Sequence, residues 1–142
     1  MTIEQIVVER LLSIVAVTSL VSTRVYLDKL PQSPVYPCVR VTLIDELEDY
    51  HLRGGGLKTV RIQVDGFAKE LSGIDPYAMA AAVSDAIHGD DAGSGLSGWI
   101  GEFGSPALQV QACLRVDRRR YYDPEELRVL TMSQDYRVTY RA

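Results

Sequence analysis

The sequence predicts an α+β fold: a mainly antiparallel four-stranded sheet with two helices packed on one face, in the order α-β-β-α-β-β. Three observations predict it. Four segments alternate apolar and polar residues with period two, which marks strands with one buried face. Two others carry apolar residues at helical spacing behind helix-start signals. No linker and no repeat of solenoid length divides the 142 residues, so 1–142 reads as one domain.

Thr2 followed by Gln5 is a capping-box spacing and places a helix start at Ile3. Ile3, Val7, Leu11, Ile14 and Val15 share one broad face of that helix, with Gln5, Glu9 and Ser13 opposite, so it is expected over 3–20. Val25 and Tyr26 begin a short extended piece. Pro31, Pro34 and Pro37 then forbid helix and regular ladder pairing. Val39, Val41 and Leu43 alternate with Arg40 and Thr42 as the first strand. Residues 45–56 read as a connection, charged and then glycine-rich. Val60, Ile62 and Val64 alternate with Arg61, Gln63 and Asp65 as the second strand.

Asp75 before Pro76 offers an N-cap acceptor and a proline at the first helical position, predicting a helix over 76–88. Met79, Val83, Ala86 and Ile87 form its apolar face. Residues 89–106 hold six of the eleven glycines. In the third strand Leu108, Val110, Ala112, Leu114 and Val116 alternate with Gln109, Gln111, Cys113 and Arg115. In the fourth, Leu130, Met132, Tyr136, Val138 and Tyr140 alternate with Thr131, Ser133, Asp135, Arg137 and Thr139. Both helices are expected on the apolar face. The other face carries Arg, Gln, Thr, Ser and Asp, and is wet or meets a polar partner.

Composition narrows the function. The hydrophobic fraction of 46% suffices for a core, and no run approaches the ~20 apolar residues of a spanning helix. Glu4, Glu9 and Arg10 interrupt the apolar N-terminus, so a soluble chain with no membrane partner is expected. A net charge of −4 argues against general nucleic-acid binding, which needs a surplus of Lys and Arg. Cys38 and Cys113 are too few and too scattered for a disulfide scaffold or a zinc site, and read as half-buried thiols in a reducing cytoplasm.

No catalytic constellation emerges, so no enzyme, catalytic residue, metal site or cofactor is expected. Gly54-Gly55-Gly56-Leu57-Lys58-Thr59 brings its lysine too soon for a phosphate-binding loop, and a strand comes after it. Ser94 and Ser97 do not sit in a nucleophile elbow. His88, Asp90 and Asp91 could ligate a divalent metal in a small hydrolase, but Asp and Gly after a helix also spell a helix stop. Arg118, Arg119 and Arg120, beside Tyr121 and Tyr122, suit a nucleic-acid contact. Flanked by Asp117, Asp123, Glu125 and Glu126, they read rather as a turn that is solvated or salt-bridged between subunits. Trp99, Ile100 and Phe103 either plug the core or anchor on a neighbour. Leu47, Tyr50, His51 and Arg53 lie in the 45–56 loop, which with 89–106 is expected to face neighbouring rings or subunits.

Several segments together carry a likeness. They are Leu20-Val21-Ser22-Thr23-Arg24-Val25-Tyr26 with Leu30-Pro31-Gln32 and Pro37, then Gly56-Leu57 with Val60-Arg61-Ile62-Gln63-Val64-Asp65. Tyr122-Asp123-Pro124-Glu125, Leu130 and Asp135-Tyr136-Arg137-Val138-Thr139-Tyr140 complete the set. In order and spacing, with an alanine-rich helix between the last two groups, the chain resembles the tail-completion, or tail-terminator, proteins of long-tailed bacteriophages and prophages. Residues 89–106 match no part of that pattern.

The resemblance implies a structural virion protein of the tail, assembled in the bacterial host cytoplasm. Its subunits form a ring, commonly a hexamer, on the head-proximal end of the tail tube. The ring ends tube growth and offers the head-joining surface. The implied partners are further copies of itself, the tail tube protein and a head–tail connector or stopper protein, with DNA only passing through the bore. Another neck component is the nearest alternative. The metal-dependent hydrolase and the nucleic-acid-binding module are the alternatives from other classes.

Overall fold

The computed structural model describes residues 2–48, 57–70, 73, 75–122 and 128–141. Its elements are α1 (Ile3–Leu12), α2 (Val15–Val21), β1 (Val25–Leu27), β2 (Cys38–Glu48), β3 (Lys58–Lys69), α3 (Pro76–His88), β4 (Gly101–Phe103), β5 (Leu108–Tyr122) and β6 (Val129–Arg141).

The sheet overturns the expected fold class. Among the described residues it has six strands in the order β1-β2-β3-β6-β5-β4, not four. It is mixed, because β1 pairs parallel to β2 while the other pairs are antiparallel. The two additional strands hold three residues each, one among the turns before the prolines and one in the glycine-rich segment. Three residues are too few for an alternation to stand out. Pairing to a long neighbour makes them strands.

Among the described residues three helices, not two, contribute to the core. The expected helix over 3–20 is broken. The capping box at Thr2 and Gln5 starts α1 as predicted. Ser13 closes α1, and Ile14 is extended at φ −90° and ψ 111° before α2 begins. The break re-aims the apolar stripe. In an unbroken helix Val17 would point well away from Leu11. Here Val17 and Val21 are fully buried, and Val15 turns out to 79% exposure.

The inner sheet face presents Val39, Val41, Ile62, Val64, Val110 and Val138 to Ile6, Leu11, Val83 and Ile87 of the helices. Burying each such side chain contributes about 1.5–3 kcal/mol. α3 spans Pro76–His88 as predicted, with Asp75 accepting from the Tyr77 N–H at 3.0 Å.

Two expected loops are strand instead. Asp45 to Glu48 continue β2 against β3, and Asp117 to Tyr122 continue β5 against β6. Their charged side chains hid them, because the sheet face they join is itself polar. Bulges at Ile44, Gln111 and Val116 shift the registers. Each bulge reverses the facing of the strand residues beyond it. Leu114 therefore emerges on the polar face at 58% exposure, while Cys113 turns into the core.

Candidate interaction surface

The outer sheet face divides into three zones along the strands. At one end Cys38, Phe67 and Val129 are covered by Tyr26, Leu30 and Tyr36 of the proline-rich segment. The middle is ionic. The far end is apolar and open.

In the middle zone the Asp65 carboxylate, fully buried, meets Arg40 at 2.8 Å. It also accepts from Gln63 Nε2 at 2.9 Å and from the Ser133 hydroxyl. Asp135 meets Arg61 at 2.7 Å and Arg119 at 3.3 Å. Arg119 reaches Asp117 at 2.8 Å and Gln63 Oε1 at 3.0 Å. Partial burial pulls the Arg119 pKa down, but the Asp135 charge and the Asp117 hydrogen bond outweigh it and hold the pKa above its ordinary value. This network ties β2, β3, β6 and β5 into one plate.

In the open zone Leu47 is 65% exposed, and Ile44, Leu114 and Val116 are exposed too. Leu47 and Val116 line a hollow of about 90 Å³ with Asp45, Thr59, Arg61 and Arg137. Large apolar side chains gathered beside charge are costly to leave in water.

The predicted interaction residues are scattered over the molecule. Leu47 stands at the apolar end of β2. Tyr50, His51 and Arg53 lie outside the described residues, as do Asp123, Glu125 and Glu126. Arg118, Arg119 and Arg120 alternate along a strand rather than cluster in a turn. Arg118 donates to Met132 Sδ at 2.9 Å and lies 3.4 Å from Asp85. Arg120 stacks over the Tyr77 ring at 4.9 Å. Adjacent strand residues face opposite ways, yet all three arginines border one open hollow of about 350 Å³ together with Met132.

Trp99 is 2% exposed and packs on Phe103 at 4.8 Å, closing the core beneath Arg10. It offers no surface on the single chain. Phe103 is partly buried against the same cluster, and Ile100 alone of the three stands out, at 64%. The glycine-rich segment also caps α3. Leu96 and Ser97 donate to the Ile87 and His88 carbonyls at 2.8 and 3.1 Å. A side chain at Gly95 would meet those carbonyls at 2.5–2.6 Å, so only glycine fits there. Arg10 Nη2 donates to the Gly93 carbonyl at 2.6 Å and fastens the segment to α1.

His88 lies between Asp91, at 2.8 Å from Nε2, and the Tyr136 hydroxyl, at 3.1 Å from Nδ1. Ser97 donates to Asp91 at 2.6 Å. That bond lowers the Asp91 pKa, partial desolvation opposes it, and His88 adds to the lowering. Asp90 instead accepts from the Ala92 N–H at 2.9 Å. The two aspartates are thus turned to separate backbone and side-chain partners. Among the described residues no group of three His, Cys, Asp or Glu side chains is placed to hold a metal.

The sequence reading missed the apolar zone of Ile44, Leu114 and Val116, and missed the Asp65 and Asp135 network. No local signal marks the bulges that expose the first set. Charged residues alternating on four strands did signal a polar face, but not that its carboxylates would be buried.

Residues 5–141 match the family described as Tail completion protein gp17. No curated protein matches the sequence. Among solved structures, a chain from the virion of a native gene transfer agent particle superposes with a TM-score of 0.61 at 17% identity. The superposition covers 98% of this chain and 94% of that one, and establishes a shared fold.

Proposed function

Because the chain belongs to the family of Tail completion protein gp17 and is thereby a structural component of the virion tail, we propose that it forms a ring on the head-proximal end of the tail tube. The ring ends tube growth and presents the surface to which the head joins. Its partners are further copies of itself, the tail tube protein and a head–tail connector or stopper, and DNA passes through the bore.

The observation that carries this reading is the extent of the family match, residues 5–141, which takes in every element rather than one motif. The site chemistry is consistent with it. Buried carboxylates locked to arginines stiffen a plate, and exposed Leu47, Leu114 and Val116 give that plate an adhesive end.

Infection with phage lacking this protein tests the proposal. Filled heads and tubes that fail to join are expected, with tubes of uncontrolled length. Adding the purified chain to the lysate should restore joined particles. Tails of normal length joined to heads in its absence would overturn the reading.

A further inference from the structure

We propose that the open edge of β5 beside α3 is a docking site for an extended acidic segment of a partner protein. The segment adds to the sheet as a strand and sets carboxylates, at every second residue, against Arg118 and Arg120. The inference goes beyond the ring reading and does not depend on it.

The edge is open where the arginines lie. β4 covers β5 only at Leu108 to Val110, and the Gly98 N–H takes the Cys113 carbonyl at 2.9 Å. From Leu114 to Tyr122 no backbone group bonds the outer side of β5 among the described residues. Beyond the bulge, Asp117 to Tyr122 pair one for one with Asp135 to Leu130 of β6. Every second residue there turns its N–H and C=O away from the sheet. An unpaired strand edge is a template for another strand.

The side chains of this stretch form two rows. On the outer face Arg119 is already held, by Asp117 at 2.8 Å and Asp135 at 3.3 Å. On the other face Arg118, Arg120 and Tyr122 border α3. Arg118 lies 3.4 Å from Asp85, Arg120 stacks over the Tyr77 ring at 4.9 Å, and Tyr122 meets Tyr77 edge-on at 6.0 Å. Both guanidiniums of this row are poorly satisfied. Arg118 spends Nε and Nη2 on Met132 Sδ, at 3.2 and 2.9 Å, and a thioether is a weak acceptor. Its Asp85 partner is 70% exposed, and such a pair contributes little. Arg120 meets no carboxylate among the described residues. The hollow of about 350 Å³ that they border leaves room for one.

Spacing and chemistry specify the occupant. Residues two apart on a strand lie about 6.5–7 Å from one another on one face. An added strand repeats that period, so acidic residues at alternate positions reach Arg118 and Arg120 together, each able to bind a guanidinium through two oxygens. Exposed Tyr77 and Tyr122, with Met132, supply side chains favoured at protein contacts. A nucleic acid would answer the arginines but not the backbone edge, and a net charge of −4 opposes it. A second β5 edge would set arginine against arginine, so the edge excludes its own kind.

The test measures fluorescence anisotropy of a labelled ten-residue peptide of alternating Glu and Thr, titrated in low-salt buffer with the full chain. The proposal predicts saturable binding. It predicts at least tenfold weaker binding for R118E/R120E, shown by thermal melting to fold, and for a peptide of the same composition with its Glu residues contiguous. N-methylation along one edge of the alternating peptide should weaken it as much. If the double variant does not fold, Arg120→Ala replaces it, with at least a threefold loss expected. Undetectable binding to the wild type would overturn the proposal and leave the arginines as a guard against edge pairing. Equal binding of the contiguous peptide, or binding untouched by N-methylation, would overturn the added strand. Single-stranded DNA bound more tightly than the peptide and lost in the same variant would overturn the protein partner in favour of nucleic acid. None of these outcomes depends on whether the chain forms rings.

Discussion

Asp65 and Arg40 meet at 2.8 Å across β2 and β3, the carboxylate wholly shut off from water and the guanidinium 30% exposed. The asymmetry fixes which partner the fold can spare. Arg40→Ala leaves a buried carboxylate held, among the described residues, by Gln63 and Ser133 alone, and should cost about 3–5 kcal/mol. Asp65→Asn leaves an arginine that can turn to water, and should cost about 1–2 kcal/mol. Urea unfolding of the two variants measures the order, with Arg40→Ala the less stable.

The single tryptophan makes the core plug testable. Trp99→Ala should destabilise by about 3–5 kcal/mol, since it empties a site packed by Phe103 and Arg10. Trp99→Phe should cost less, about 1–2 kcal/mol, because it also removes an indole N–H that finds no partner among the described residues. Wild-type fluorescence should be blue-shifted in the folded chain and unchanged on assembly.

Leu114 is exposed on the outer face, where its loss removes little packing. Leu114→Asp should change folding stability by less than about 0.5 kcal/mol. If the apolar zone is an assembly surface, the same variant should fail to rescue head joining in the lysate. Full rescue would remove the zone from the contact.

Burial pushes the Cys38 thiol up to about 11 and the Cys113 thiol up to about 12, from an ordinary value of 9.0. Nearby arginines oppose burial in both cases without cancelling it. The folded chain holds these protons where the unfolded chain releases them, so the thiols destabilise the fold as pH rises. Stability should be intact below pH 9 and fall from there through about 11–12. Cys113→Ala should flatten part of that fall in pH-dependent urea titrations.

The sequence exposed what local chemistry determines. Thr2 with Gln5 and Asp75 with Pro76 state their helix starts through caps that act within three residues. The pattern Val60, Ile62, Val64 states its strand because one face is dry. Facts settled at a distance were not legible. The apolar run from Leu11 to Val21 reads as one helix, yet burying Val17 and Val21 in the core bends it at Ile14. Leu114 and Val116 continue an alternation from Val110, yet the bulge at Gln111 turns Leu114 outward. Trp99 gave no hint in its glycine-rich setting of whether it would fill its own core. Arg10 and Phe103, distant in sequence or hidden by glycines, decide that.

Electron cryomicroscopy of tail tubes incubated with the chain would show the ring itself. A closed ring of identical subunits is expected at the head-proximal end, absent from the other end and from the shaft. Single unconnected subunits at that end, or density distributed along the tube, would contradict it.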